Sequence, residues 1–402
     1  MPTLARLSLA CLLAFAACSQ DIAVSGPLLV VAANDTFAGK LASDVPAPGD
    51  AAALPDAAAP TPDAHDATAD VAPTCPAGLE QPTVLASLID GFDPLALAVG
   101  PDEVFVGVET QTSTMMDNAI LALVPGAKKP QTVVSSGWAT VSVGWATGVV
   151  TVADGQLIWR GQPPGTTDAI VQVLNLQGGM TDALPNPPGT SFAWDVAANA
   201  KGDVLWVAGN TQTPHFALSR WHAGAGAQVL VEAPHMAELF ADDGAAYWRD
   251  LDAQQNVTFF AYDLATGKQT VVRKTVWADG KLAELRGIDD EALYFADVLM
   301  DSGGTVQGND PVVAWPKTGG GKPLTTYSDL LDVQRLFVVD STHLYWVAQA
   351  AQDRLMRIAK HGKGAPEQVA QVEGHWITAV ATDACNIYWA TENPPQIWVR
   401  RR

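Results

Sequence analysis

An all-β fold built from a repeated four-stranded unit is what the sequence predicts, on three observations. The first is the stretch Phe337–Ala348, FVVDSTHLYWVA, in which an alternating apolar run meets a polar turn and a second run carrying an aromatic pair. The second is its recurrence. Equivalent anchors stand at Val106, Trp159, Trp206, Trp248, Phe295, Trp346 and Trp389, with a mean step of about 47 residues. That period suits units that cannot bury their apolar faces alone and stack around a closed ring. The third is composition: 13 Trp beside 34 Gly and 27 Pro fits short strands joined by tight turns. Together these predict a seven-bladed β-propeller, with six or eight blades as alternatives.

Taken from the start, residues 1–17 read as an export signal. Arg6 precedes the apolar run Leu7–Ala17, which is too short to span a bilayer. The run ends Phe15-Ala16-Ala17-Cys18, which resembles a bacterial lipobox; the resemblance implies diacylation of Cys18. By resemblance to enterobacterial sorting, Ser19 after it implies the outer membrane, with the periplasmic or surface side left open. Residues 18–74 then form a tether. From Asp44 to Thr74 the chain is almost entirely Ala, Pro, Asp and Thr, a composition that offers too little apolar surface to offset the entropy of ordering it. Residues 22–42 are more apolar and carry no firm reading.

Residues 75–402 form the repeat array. Each repeat has a strand A, a polar turn, a strand B with the anchor, a strand C, a Gly-bearing turn (PGAKK, HAGAG, KTGGGK, KHGKG) and a short strand D. Met180–Pro185 is a poor strand D. The last repeat stops after strand C at Arg402, whereas Gln81–Ser87 (QPTVLAS) looks like a strand D without a blade. Placing it in the last blade closes the ring and removes two exposed edges. Of the four cysteines, Cys11 lies in the signal and Cys18 in the lipobox, which leaves Cys75 and Cys385 as a disulfide pair in an oxidising compartment. Both fall on the same face of a meandering ring.

The order of apolar strand, Asp turn, Leu/Ile-Tyr-Trp, then a basic residue and a Gly turn is similar to YWTD-like and TolB-like propeller repeats. VVDSTHLYWVAQAAQDRLMRIAKHGKGAPEQVAQ is the nearest copy. No repeat keeps Thr-Asp after Tyr-Trp, and the receptor examples of that family have six blades. The layout as a whole resembles repeat-bearing lipoproteins of myxobacteria. The resemblance implies the fold and no particular activity.

Strand alternation sets a polarity. D–A and B–C connections share one face, and the tighter A–B and C–D turns share the other. Gln111–Asn118, Arg249–Asn256 and Asp297–Asp310 read as long B–C loops, and long loops carry function more often than tight turns. The candidate ligand face therefore comprises Phe92, Asp93, Trp138, Trp194, His235, Glu238, Trp277, Glu284, Tyr327, Asp329, His375 and Trp376, with Asp195 among them. Aromatics mixed with carboxylates at a channel mouth suit a sugar, a peptide or a cation. His235, Glu238 and His375 offer a thin metal set, and Asp297, Asp301 and Asp310 offer oxygens for Ca²⁺ in a spacing unlike an EF-hand. The repeated turn residues Asp154, Asp243, Asp290, Asp340 and Asp383 read as side chains bonding their own turns. No catalytic residue and no cofactor is assigned. The chain contains no Gly-x-Ser-x-Gly and no phosphate loop.

Net charge is −20, which sets aside nucleic acid. The expectation is a monomeric envelope lipoprotein, held at the membrane through its lipid, that displays a non-catalytic propeller to a protein or glycan. The alternatives are a metal-dependent, lactonase-like hydrolase and a structural assembly factor of the envelope.

Overall fold

The structure is a computed structural model. It describes residues 75, 79–89, 91–112, 115–124, 127, 129–134, 150–161, 168–179, 181–210, 215–252, 256–276, 281–299, 311–328, 330, 336–348, 352–361, 364–372 and 376–402. The chain divides into two units, 1–69 and 70–402, and every described residue lies in the second. The signal, Cys18 and the tether fall outside the described residues.

The described residues form 28 strands in seven four-stranded antiparallel sheets. Blade 1 is β2 (Phe92–Val99), β3 (Val104–Thr112), β4 (Met115–Leu123) and β5 (Gln131–Val134). Blade 2 is β6 (Val150–Ala153), β7 (Gln156–Gly161), β8 (Ile170–Asn175) and β9 (Thr181–Leu184). Blade 3 is β10 (Phe192–Ala198), β11 (Val204–Asn210), β12 (His215–His222) and β13 (Gly226–Ala233). Blade 4 is β14 (Ala237–Ala241), β15 (Ala245–Leu251), β16 (Val257–Asp263) and β17 (Gln269–Thr275). Blade 5 is β18 (Lys281–Ile288), β19 (Ala292–Leu299), β20 (Val312–Pro316) and β21 (Thr325–Tyr327). Blade 6 is β22 (Phe337–Val339), β23 (His343–Ala348), β24 (Arg354–Ala359) and β25 (Glu367–Gln371). Blade 7 takes β26 (Trp376–Thr382), β27 (Asn386–Glu392) and β28 (Gln396–Arg401) from the C-terminus and β1 (Thr83–Ser87) from the N-terminal side.

The core sits between blades. Seven apolar clusters fill seven seams; one joins Ile158 and Val171 of blade 2 to Val196 and Trp206 of blade 3, and another joins Tyr294 and Val312 of blade 5 to Leu344 and Trp346 of blade 6. Successive residues of a strand point to opposite faces, so a strand B buried on both sides must be apolar throughout. That is why LYWVA and VLWVA are unbroken runs. Trp206, Trp248, Trp346 and Trp389 are fully buried. Each contributes roughly 5 kcal/mol of transfer free energy at the usual area coefficient.

The ring closes as the repeats require. β1 pairs with β28 from Thr83↔Val399 to Ser87↔Gln396. The Arg401 N–H donates to the Leu79 carbonyl at 2.6 Å, and a Cys75–Cys385 disulfide joins the two ends with Cα atoms 5.3 Å apart. Several details of the strands differ from expectation; Arg249–Leu251 belongs to β15 and Asp297–Leu299 to β19, because the ladder with strand A or C runs past the expected loop start. Gln111–Thr112 and Met115–Asn118 do not read as loop but continue the β3–β4 hairpin, through Thr110↔Asp117, Gln111↔Met116 and Thr112↔Met115. Thr, Gln and Met suit a strand as well as a loop, and the ladder decides between them. Thr181–Leu184 does form strand D of blade 2, since an outermost strand needs only its ladder and one anchored side chain, here Leu184.

The A–B turns carry an unexpected clasp. Asp242, Asp289, Asp340 and Asp383 each accept two backbone N–H groups of their own turn through Oδ1. The turn residue in blades 4 and 5 is thus Asp242 and Asp289, one place before the expected Asp243 and Asp290; Asp243 instead accepts the Ala200 N–H from blade 3 at 2.9 Å. Five residues on, the hydroxyls of Tyr247, Tyr294 and Tyr388 donate to the second oxygen of Asp242, Asp289 and Asp383. A cation from the end of the next blade's strand C completes the set: Lys317 on Asp242, Lys360 on Asp289 and Arg402 on Asp340. Burial would raise Asp289, but Lys360, Tyr294 and the two N–H groups outweigh it and hold the carboxyl below the usual range. The clasp therefore contributes stability above the ordinary aspartate pKa and loses it as pH falls. Asp289→Ala should cost about 3 kcal/mol in urea unfolding at neutral pH, with the deficit shrinking below about pH 3.

Candidate functional site

The disulfide marks the short-turn face, because Cys385 lies in the turn between β26 and β27. The opposite face holds the D–A connections and the first residues of each strand A. Phe92 and Asp93 open β2, opposite Thr110 and Glu109. Burial, then the charge of Asp93, raise the Glu109 carboxyl. Trp194 lies in β10, His235 between β13 and β14, Glu238 in β14, Glu284 in β18 and Trp376 at the start of β26. Tyr327 departs from the expected face. It is buried in the seam between blades 5 and 6, where its hydroxyl accepts the His361 N–H at 3.3 Å. Trp138, Trp277, Asp329, His375, Asp301 and Asp310 lie outside the described residues.

Around Trp194 the structure assembles a row of rings. Phe192 and Trp194 are 5.6 Å apart, Trp194 and Phe216 6.2 Å, and Phe216 and His235 6.0 Å between centroids. The β10–β11 ladder shifts register between Ala193 and Asp195, and this bulge turns Trp194 outward, so that it is 36% exposed. Arg160 of blade 2 holds the bulge. Its Nη1 donates to the Trp194 carbonyl at 2.8 Å and the Ala193 carbonyl at 3.4 Å, and its guanidinium lies 5.6 Å from the Phe192 centroid. Gly209 makes room for the row: a Cβ there would stand 2.4 Å from the Phe216 ring. Phe216 and Arg160 escape sequence reasoning, because one opens a strand C and the other belongs to a neighbouring blade.

The carboxylates of this end are mostly committed. Asp195, Glu238 and Glu284 occupy one repeated position, each just before the strand-A residue that lies beside the strand-B anchor. The same position is Ala96, Leu336 and Ala379 in blades 1, 6 and 7. Asp195 accepts the Leu239 N–H of blade 4 at 2.8 Å, and Glu238 accepts the Leu285 N–H of blade 5 at 2.7 Å. Strand A is an inner edge with unpaired N–H groups, and these side chains satisfy them across the seam. Burial pushes Asp195 up to about 8, against the pull of the Leu239 and Val196 N–H groups and of Arg160. Burial likewise pushes Glu238 up to about 7 although Arg249 pairs with it at 2.9 Å. Glu284 pairs with Arg286.

Among the described residues no group of three or more His, Cys, Asp or Glu side chains is placed to hold an ion. Asp297 is held by Arg273 Nη2 at 2.7 and 2.9 Å. What the face does offer is apolar surface. Ile89, Trp194, Val276 and Trp376 are exposed, and all four lie in D–A connections or the opening of a strand A.

With this geometry in hand, the chain can be compared with known proteins. The solved structures it is similar to are β-propellers. The β-propeller domain of the trilobed protease from Pyrococcus furiosus matches with TM-score 0.55 and 9% identity, over 78% of this chain and 94% of that one. An oligogalacturonate lyase in complex with manganese matches with TM-score 0.52 and 13% identity, over 74% and 85%. The acylaminoacyl peptidase of Pyrococcus horikoshii matches with TM-score 0.55 and 9% identity, over 76% of this chain and 50% of that chain, so this chain spans about half of that peptidase. No protein-family model and no curated relative matches the sequence. At such identities the likeness concerns the fold alone. The Pyrococcus furiosus domain is described as having an open velcro topology, whereas this propeller closes through β1 and a disulfide.

Proposed function

We propose that the chain is an exported, lipid-anchored propeller that binds a partner in the cell envelope through its long-loop face. The observation that carries this reading is the exposed apolar set Ile89, Trp194, Val276 and Trp376, drawn from separate blades yet gathered at one end of strand A. Exposed large apolar side chains that share one face mark interaction surfaces more often than scattered ones do. Sequence features supply the rest: the lipobox-like Cys18 gives the anchor, and residues 18–74 give reach. The disulfide lies on the opposite face. The metal-dependent alternative lacks a carrying observation, because Glu238 and Asp297 are held by arginines.

Photo-crosslinking tests this reading. A photoreactive residue at position 376 should give a discrete adduct in envelope fractions. The same residue at position 229, exposed on the outer strand β13, should give none. Equal labelling at both positions would count against a dedicated face.

A further inference from the structure

We propose that Asp195 is a proton-operated latch for Trp194: while Asp195 holds its proton the indole stands outward, and when it ionises Arg160 swings from the Trp194 carbonyl to the carboxylate and the bulge is released. The inference goes beyond the binding-face reading, and its test needs no partner. Its ground is the way the bulge is built. β10 leaves its ladder between Ala193 and Asp195, and the chain there has a tie on each side. Toward blade 2, Arg160 Nη1 donates to the carbonyls of Trp194 and Ala193 at 2.8 and 3.4 Å. Toward blade 4, Asp195 Oδ2 accepts the Leu239 N–H at 2.8 Å, while its Oδ1 accepts the Val196 N–H at 3.0 Å. Those two N–H groups are the hydrogen-bond partners of Asp195 among the described residues, and no ion pair reaches it there. A guanidinium and a carboxyl thus flank the same peptide unit, and the guanidinium is spent on the carbonyls.

That arrangement suits a neutral acid. Asp195 is buried, and a buried carboxylate without a paired cation is disfavoured. Few charges face it. β7 brings Arg160, β14 brings Glu238, and the connection before β14 brings His235, which lies against Phe216. β6, β8 and β11 bring no ionisable side chain. Burial keeps the carboxyl protonated up to about 8, with the two N–H groups and Arg160 pulling it down and Glu238 pushing it up. Once Asp195 ionises, the cation beside it is Arg160, and a charge-assisted pair is stronger than a bond to a neutral carbonyl. The move leaves the Trp194 carbonyl without its donor, in a bulge that has already left the ladder. The indole is the side chain set free: it is 36% exposed and rests against Phe192 and Phe216 at 5.6 and 6.2 Å. Low pH therefore keeps the ring presented, and high pH lets it go.

Fluorine NMR of the whole chain labelled with fluorotryptophan reads the latch. Of the 13 tryptophans, Trp194 gives the signal that is missing from Trp194→Phe. From about pH 6 to about pH 9.5 this signal should move in a single titration toward the position of a solvated tryptophan. Its shift between light and heavy water should rise about twofold over the same range, while the circular dichroism spectrum stays that of the folded ring. Asp195→Asn, which cannot ionise, should hold the low-pH signal throughout. Glu238→Gln removes the neighbouring negative charge, so it should move the midpoint to lower pH and keep the titration. A wild-type signal that stays fixed across the range would overturn the proposal. So would a titration that survives in Asp195→Asn, since Glu238 or His235 would then be the group at work. Crosslinking at position 376 is read independently of either result, so the binding-face reading stands or falls on its own test.

Discussion

Raising the pH from about 4.5 to about 8 should lower the melting temperature of the folded ring, and Asp195→Asn should remove much of that loss. Burial holds Asp195 protonated up to about 8 and Glu238 up to about 7, whereas an unfolded chain ionises both near 4. Between these limits the folded state binds more protons than the unfolded state, so stability falls as pH rises. The contribution is complete below about 4 and is gone once pH passes the folded values. For Asp195 alone the full swing is at most about 6 kcal/mol. Asparagine copies the neutral carboxyl and keeps an oxygen for the Leu239 N–H. The variant should match the wild type near pH 4 and exceed it near pH 8, by thermal unfolding followed in the near ultraviolet. A parallel pH profile for the two proteins would show that Asp195 is ionised and paired in the fold. At the acid end the clasps of Asp242, Asp289 and Asp340 act with opposite sign, so the melting temperature should peak between about 4 and 5.

Cys385→Ala should cost up to about 6 kcal/mol in chemical unfolding, the chain-entropy value for a crosslink that spans 310 residues. The loss arises mainly in the unfolded chain, which regains the freedom of a long loop. The hydrogen bonds between β1 and β28 remain, so the variant should still close its ring, with a circular dichroism spectrum like that of the wild type. Removing residues 75–88 as well should go further. It exposes the ladder edge of β28 and takes away Leu85, Ala86 and Leu88, which pack on the seam between blades 7 and 1 and cover Leu97 and Ile397 there. Aggregation or loss of the folded signal is the expected outcome. A stability loss below about 1 kcal/mol for Cys385→Ala would mean that the β1 ladder alone restrains the ends.

The fold was legible because its signals are local. One hairpin can be recognised in ten or twelve residues, and Trp159, Trp206, Trp248, Trp346 and Trp389 repeat it at steps that only a ring explains. The missing strand of the last blade showed itself as an orphan run at the other end. The site was legible only as a neighbourhood. Trp194, His235 and Glu238 could be placed on one face by strand order, but their roles depend on groups far away in sequence. Asp195 answers an N–H 44 residues on, and Arg160 holds a bulge 34 residues on. Neither relation leaves a pattern in a single chain. Tyr327 belongs to the seam for the same kind of reason: a phenol at the end of a strand D looks the same in sequence whether it meets solvent or the next blade. Sequence alone does not separate Asp242 from Asp243, because adjacent aspartates differ only in which one the turn geometry selects.

The position of the disulfide has a mechanical consequence. Cys75 precedes β1, and its partner sits in the body of blade 7. Tension applied anywhere upstream of Cys75 therefore enters the ring through a covalent bond and bypasses the outermost strand. With that bond intact, β1 is not peeled from β28, however hard the leading segment is pulled. With it reduced, the same force reaches the Leu79–Arg401 hydrogen bond and then the Thr83↔Val399 end of the ladder, and can open the pairs one after another. The ring would then fail at its seam of closure long before any blade unravels. A bond that adds a few kcal/mol at equilibrium thus decides which part of the molecule feels strain.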